Sequence, residues 1–255
     1  MEKELRVIGY PQIAFTKLAY GSELGFTITN EILGEIKLAD NQKIAKKHNK
    51  NKEEATVSDE EVQKSIDQIR RMQAEPATEG AEPVLPELDD DFVKKIGDFA
   101  SVEAFTDMVK TNLQAQKEQE TTAKRREEMV VEIIEASTFT VPESLVTAEL
   151  DKLMAQMKDN VAGMGLEWDK YLEHMQKDET ALQDEARPDA KRRAEADLIL
   201  KEIAKAEDIR ADQEQLAKQV AELEKRYTDV DPTNISLYVE GILINEATLS
   251  FLESQ

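Results

Sequence analysis

The sequence predicts a mostly α-helical protein: an elongated, multi-helix body carrying a small N-terminal β-hairpin. Three observations carry that reading. Only nine glycines and seven prolines occur in 255 residues, while the good helix formers Gln, Glu, Lys and Ala are abundant. No residue between 101 and 136 breaks a helix. At 1.5 Å per residue that stretch is on the order of 50 Å long, whereas size scaling gives a compact chain of this length a radius of gyration of about 18 Å. Residues 1–39 show a different pattern, with apolar residues at alternate positions.

The hairpin rests on two apolar stretches, 11–20 and 23–33, containing Ile13, Phe15, Leu18, Leu24, Phe26, Ile28 and Ile32, with Tyr20-Gly21-Ser22 as the turn. Two strands alone are marginally stable, so the hairpin is expected to pack on something else. Residues 43–52 hold five lysines and His48, read as a basic, solvated loop, with a contact to RNA or an acidic partner as the sharper alternative. No aromatics are interleaved there for base stacking. Ser58-Asp59-Glu60-Glu61 is a capping box that opens a helix over 59–73, with Val62, Ile66 and Ile69 at helical spacing. Residues 74–83 include Pro76, Gly80 and Pro83 and no large apolar side chain, so they read as a linker. These signals divide the chain into 1–55 (hairpin and basic loop), 56–83 (helix and linker) and 84–255 (helical domain).

Beyond residue 84 every segment reads as helix. Val102, Phe105, Val109 and Leu113 form a stripe, 114–128 is a polar waist, and Met129, Val130, Ile133 and Ile134 resume the stripe. Pro142 and Glu143 suit the first turn of a helix that carries Leu145, Leu150, Leu153, Met154 and Met157 and ends near Gly163 or Gly165. Leu166, Trp168, Tyr171, Leu172 and Met175 make a short apolar segment. A long helix over 179–206 contains Pro188 as a kink or local break. Leu216, Val220, Leu223 and Tyr227 follow a 4-3-4 spacing too short for a coiled coil. Asp231-Pro232 opens a last helix with Ile235, Tyr238, Val239, Ile242, Leu243, Leu249 and Leu252.

The net charge is −21 from 54 acidic and 33 basic residues, a field that repels nucleic acid and anionic lipid. With no cysteine there is no disulfide framework, thiolate metal site or Cys nucleophile. No run of about 18 apolar residues marks a membrane span, and no basic-then-apolar secretory signal opens the chain, so a cytoplasmic protein is expected. Glycine-rich phosphate loops, G-x-S-x-G and H-E-x-x-H are absent from the sequence. Asp89-Asp90-Asp91 reads as an acidic first helical turn rather than a metal cluster, and His174 as a packed or surface histidine rather than a general base. No metal and no cofactor are expected. Met154, Met157, Met164 and Met175 cluster with Leu166, Trp168 and Tyr171. Such a set suits either an adaptable binding surface or an ordinary core.

The stretch Leu85-Pro86-Glu87-Leu88-Asp89-Asp90-Asp91-Phe92-Val93-Lys94-Lys95-Ile96-Gly97 resembles the opening of the C-terminal domain of the trigger factor family of ATP-independent bacterial chaperones. Further resemblances follow in order at Phe139-Thr140-Val141-Pro142-Glu143-Ser144-Leu145-Val146, at Leu198-Ile199-Leu200-Lys201-Glu202-Ile203-Ala204, and from 238 to 252 around Asn245-Glu246. They cover about residues 84–252. Pro11-Gln12-Ile13-Ala14-Phe15-Thr16-Lys17-Leu18 and Glu35-Ile36-Lys37-Leu38-Ala39-Asp40 resemble the family's N-terminal domain, and 56–73 resembles the approach to its isomerase domain. The family's docking loop G-F-R-x-G-K-x-P has no match, because Gly25-Phe26 is followed by Thr27. Only the linker stands where the FKBP-type isomerase domain of about a hundred residues would be. The resemblance is to a reduced trigger factor.

That resemblance implies two helical arms around a cradle that holds unfolded segments reversibly, without bond chemistry. The expected function is an ATP-independent holdase, not an enzyme, binding unfolded or nascent polypeptides. Ribosome contact is expected to be weak or lost, DNA and membrane are not expected partners, and a homodimer is compatible with the reading. The rivals are a helical scaffold for one folded partner and a prolyl isomerase without its catalytic domain. The expected client contacts are Met154, Met157, Met164, Leu166, Trp168, Tyr171 and Met175 on one arm, and Tyr238, Ile242, Leu249 and Phe251 on the other. Those that line a helix's packed face must instead be core.

Overall fold

The computed structural model describes residues 6–17, 24–52, 55–74, 85–227 and 230–255, which form two strands and nine helices. Their contacts define two units: Met1–Asn49 with Met129–Gln255, and Lys50–Glu128.

In the first unit, β1 (Val7–Lys17) and β2 (Gly25–Ile32) pair antiparallel. The expected turn at 20–22 lies outside the described residues. Ile13 faces Ile28 and Phe15 faces Phe26 across the ladder. Directly opposed residues share a face, and so do residues two apart along a strand, so these four side chains form one apolar face. Ala14–Thr27 and Gln12–Thr29 make the other. The register is irregular between Ile8 and Gln12, where Gly9 has φ 71° and Pro11 can donate no ladder hydrogen bond. The apolar face was expected to pack on something. Instead Ile13, Phe15, Phe26 and Ile28 are each half or more exposed. The hairpin is tied at its base by polar groups: Arg6 to Glu202 at 2.6 Å, and Glu31 to the backbone of Glu143 and Ser144.

Residues expected to be a basic loop fold instead as helix α1 (Asn41–Lys50). Asp40 caps it by accepting from Lys43 N at 3.0 Å. Asn41 and Ala45, one turn apart, are buried, while Lys43, Lys46, Lys47 and Lys50 stay in water. The lysine-rich composition hid a helix because only this narrow face needs to be small or apolar.

The second unit contains α2 (Asp59–Met72), α3 (Asp90–Gly97) and the N-terminal part of α4 (Val102–Ala136). The capping box is formed on both sides: Glu61 N donates to Ser58 Oγ, and Ser58 N donates to Glu61 Oε2. Val62 and Ile66 of α2 pack with Phe92, Val93, Phe105 and Val109. That core joins the two sides of the sequence linker, so the linker is not a structural boundary. The unit boundary falls at 128/129, within α4. The polar waist lies between Leu113, the last apolar contact of one core, and Met129, the first of the other.

The first unit continues with α5 (Glu143–Gly163), α6 (Trp168–Met175), α7 (Glu179–Ala206), α8 (Gln213–Arg226) and α9 (Pro232–Glu253). Helix α7 runs unbroken past Pro188. Pro142 is the residue before α5, not in its first turn. Three cores hold this unit. Ala45, Met129, Ile133, Ile199, Ile203 and Leu252 are fully buried together. Val146, Leu150 and Met154 of α5 meet Leu182, Ala190 and Ala194 of α7. Ile235, Val239 and Leu243 of α9 meet Ala211 and half-buried Leu216, Val220 and Leu223. Each fully buried large side chain stabilises the fold by about 1.5–3 kcal/mol.

Helix α9 departs from the expectation that no segment could span a membrane: it is long enough and apolar enough, with a mean hydropathy of 1.3 over 18 residues. Here its stripe of Ile235, Val239, Leu243 and Leu252 is buried against other elements of its unit.

Candidate functional site

Chemistry-bearing clusters are accounted for by structure. Among the described residues no group of three His, Cys, Asp or Glu is arranged to hold a metal. Asp89 Oδ1 accepts from Phe92 N at 2.8 Å and caps α3, and Asp90 Oδ1 accepts from Val102 N at 2.9 Å. The acidic triplet is therefore helix-end chemistry, as its sequence suggested. His174 is exposed in the last turn of α6. His48 Nε2 and Lys47 Nζ both contact Glu132, each at 2.8 Å. Lys47 foremost, and then His48, hold the Glu132 carboxyl below its ordinary value.

The remaining candidates are apolar surfaces. The first lies where α5 ends and α6 begins. Trp168 and Tyr171 stack at 5.5 Å between ring centroids. Lys158 sits 5.4 Å over the Trp168 ring and pairs with Glu179 at 2.7 Å. Lys158, with a weaker contribution from Trp168, keeps the Glu179 carboxyl low. This arrangement holds α6 against α5 and α7 through half-buried groups. Beyond it the chain turns outward. Met164 N donates to Asn160 O and Val161 O, Leu166 N donates to Val161 O, and Gly165 takes φ 75°, which a side chain would resist. Met164, Leu166 and Met175 end up exposed at 74%, 48% and 39%.

The second surface lies on α8 and α9. A groove of about 350 Å³ is lined by Leu223, Tyr227, Val230, Asn234, Ile235 and Tyr238. Tyr227, Val230, Leu237, Tyr238 and Ile242 are all exposed around it or beside it on α9.

The expected client residues thus separate. Met154 is corrected to core: it is buried, because α5 turns its 146/150/154 stripe onto α7. Met157, Trp168 and Tyr171 are half-buried against the same core. Leu249 and Phe251 pack half-buried on the core around Leu252. Met164, Leu166, Met175, Tyr238 and Ile242 are the exposed members. Sequence reasoning missed Leu237, Tyr227 and Val230. For Leu237 the available signal was that α9 carries apolar residues around most of its circumference, so whichever stripe packs inward leaves another outside; Tyr227 and Val230 lie before α9 and carried no such signal.

Residues 101–242 match the family described as bacterial trigger factor protein C-terminus, and residues 1–69 match its companion, bacterial trigger factor protein. The chain belongs to the trigger factor family. The trigger factor of Clostridium botulinum (strain Eklund 17B / Type B) is 31% identical over 177 residues, which are 66% of this chain and 42% of that protein. The trigger factor of Bacillus subtilis (strain 168) is 33% identical over 144 residues, 56% of this chain and 34% of that protein. This chain therefore spans well under two thirds of the relatives' length. A solved structure from work on promiscuous substrate recognition in folding and assembly by the trigger factor chaperone aligns over 99% of this chain and 80% of its own. It does so at 13% identity and a TM-score of 0.44, too loose to carry a fold argument. Residues 70–100 lie between the two matches.

Proposed function

We propose that this chain acts as an ATP-independent holdase, binding unfolded or nascent polypeptides reversibly through its exposed apolar surfaces. The observation that carries this reading is the pattern of exposure. Leu237, Tyr238 and Ile242 stand in water on α9, which buries another face, and Met164 and Leu166 stand in water in the turn between α5 and α6, beside a packed core. A helix with a satisfied core has no folding reason to add large apolar side chains outside it, and clustered exposed apolar groups mark interaction surfaces. The net charge of −21 keeps such surfaces soluble. Family membership supports a chaperone role, and a protein of this composition fits the cytoplasm.

The same reading carries no isomerase activity, supported by the short stretch between the two family matches, where α3 and its flanks already serve a helical core. Ribosome contact is weak in this account. The acidic field repels RNA, and Lys47 of the lysine run is engaged with Glu132. The test is suppression of aggregation of several unrelated unfolded proteins by the full chain. Leu166→Ser with Tyr238→Ser is expected to weaken suppression of all of them without loss of helicity. Tight binding of one native partner, with no suppression, would favour a scaffold instead.

A further inference from the structure

We propose that Met164 and Met175 are oxidation sites through which a hydroperoxide switches off the α5–α6 apolar surface, an inference that rests on the client-binding reading above. The chain has no cysteine, so methionine sulfur is its reactive group for a two-electron oxidant. The seven described methionines run from fully buried to largely exposed, with Met108 and Met157 in between. Met129 and Met154 are packed in cores, whereas Met164 is among the most exposed large apolar residues and Met175, at the end of the following helix α6, is exposed too. Met72 is also exposed, but in the other unit.

The local backbone makes Met164 suited to the role. Its position is set by main-chain hydrogen bonds to Asn160 and Val161 and by the left-handed Gly165, with no core contact of its own side chain. An oxygen added at Sδ therefore disturbs no packing. In the step, an Sδ lone pair attacks the protonated peroxide oxygen, the O–O bond breaks, an S–O bond forms, and the departing oxygen takes the attacked oxygen's proton to leave as water or alcohol. Sulfur loses two electrons and the peroxide gains them. The sulfoxide is polar and chiral where the thioether was apolar and adaptable. The surface beside Leu166 loses apolar area while the core beneath stays dry. A sulfoxide reductase with a dithiol reverses the step: two electrons and two protons release the oxygen as water, and the dithiol closes to a disulfide.

The experiment treats the full chain with graded hydrogen peroxide, maps oxidation by peptide mass, and follows client aggregation and Trp168 emission. Met164 and Met175 are expected to oxidise well before Met154 and Met129. The concentration for half suppression should rise roughly fivefold, equivalent to about 1 kcal/mol of lost apolar contact. Trp168, the one tryptophan, should report an intact tip. Reductase with dithiol should restore suppression. Met164→Leu with Met175→Leu removes the sulfur, so peroxide should leave that variant's half-suppression concentration at its own untreated value, whatever that is, whereas Met72→Leu should not protect. If the double leucine variant loses suppression as the parent does, or Met154 oxidises first, the proposal is overturned. An untreated Met164→Ser, Met175→Ser variant separates the two readings. Full suppression by it means the tip is not a client surface. Weak suppression by it, beside full suppression by the oxidised parent, defeats the oxidation switch alone.

Discussion

The hairpin and helix α9 are both rich in large apolar side chains, yet they use them in opposite ways. Helix α9 buries one stripe, Ile235, Val239, Leu243 and Leu252, and leaves Leu237, Tyr238 and Ile242 in water. The hairpin buries none of the six large apolar residues that pair with one another across it, Val7 with Ile32, Ile13 with Ile28 and Phe15 with Phe26. It is held by Arg6 on Glu202 and by Glu31, whose carboxylate accepts from Glu143 N at 2.9 Å and Ser144 N at 3.2 Å. Helix α5 has no side-chain cap from its own sequence neighbourhood, so Glu31, more than a hundred residues away, supplies it. The difference teaches that apolarity and anchoring are separate properties. One element is fastened by oil and displays its surplus, and the other is fastened by charge and displays everything.

The sharpest way to break that contrast is to truncate equally apolar residues in both places. Leu252→Ala is expected to cost about 2–5 kcal/mol of unfolding free energy in urea. Phe26→Ala on the hairpin should cost well under half of that, since its side chain is already half in water. Equal losses would mean that the hairpin face is covered in solution.

Next in size is the cap. Replacing Glu31 with Gln should lower hydrogen-exchange protection at Glu143 and Ser144 and along β2, while Ile199 and Ile203 remain protected. Unchanged exchange at 143 and 144 would show that the hairpin is anchored elsewhere. Ser144 foremost, and then the Glu143 N–H, holds the Glu31 carboxyl below its ordinary value of 4.5. A depressed carboxylate stabilises above its ordinary value and loses that contribution as pH falls, so the hairpin base should loosen on the acid side.

The second unit supplies a control with a defined window. Glu61 is held at about 2 by Lys117, 2.6 Å away, and by Ser58. Its contribution is complete above about 4.5 and disappears as pH falls towards 2. In Glu61→Gln, acid unfolding of α2, followed by exchange at Val62 and Ile66, should lose the dependence traceable to that window. A variant titrating like the parent would remove Glu61 from the account.

The smallest effect on stability is expected at the displayed face of α9. Leu237→Ser and Tyr238→Ser should each change unfolding free energy by no more than about 0.5 kcal/mol, while aggregation suppression weakens. A collapse in melting temperature would reassign both residues to packing. Alongside, a proline-peptide isomerase assay on the parent is expected to stay at the uncatalysed rate, and catalysis above it would refute the proposed lack of that activity.

Much of the helical layout was legible in the chain. Ser58 with Glu61 marks the start of α2, Asp231-Pro232 marks α9, and the span 179–206 appears as one helix, because caps and long runs of helix formers act within a few residues. Helix α1 was missed because its four lysines outweigh a narrow packed face of Asn41 and Ala45 with half-buried Ile44 beside them. The candidate site was legible by composition but not by member. Met154 and Met164 look alike in the sequence, ten residues apart, and one is core while the other stands in water.

The sequence by itself determined the helical class, the start of most helices, the acidic field and the excess of apolar side chains, since each follows from local propensity, capping or a sum over residues. The tertiary structure alone decided which apolar stripe faces inward, that α2 and α3 share a core across the linker, and that Glu31 caps α5. Those outcomes depend on which surfaces meet after long loops close. No spacing along the chain encodes such a meeting, because its partners are set by distance in space.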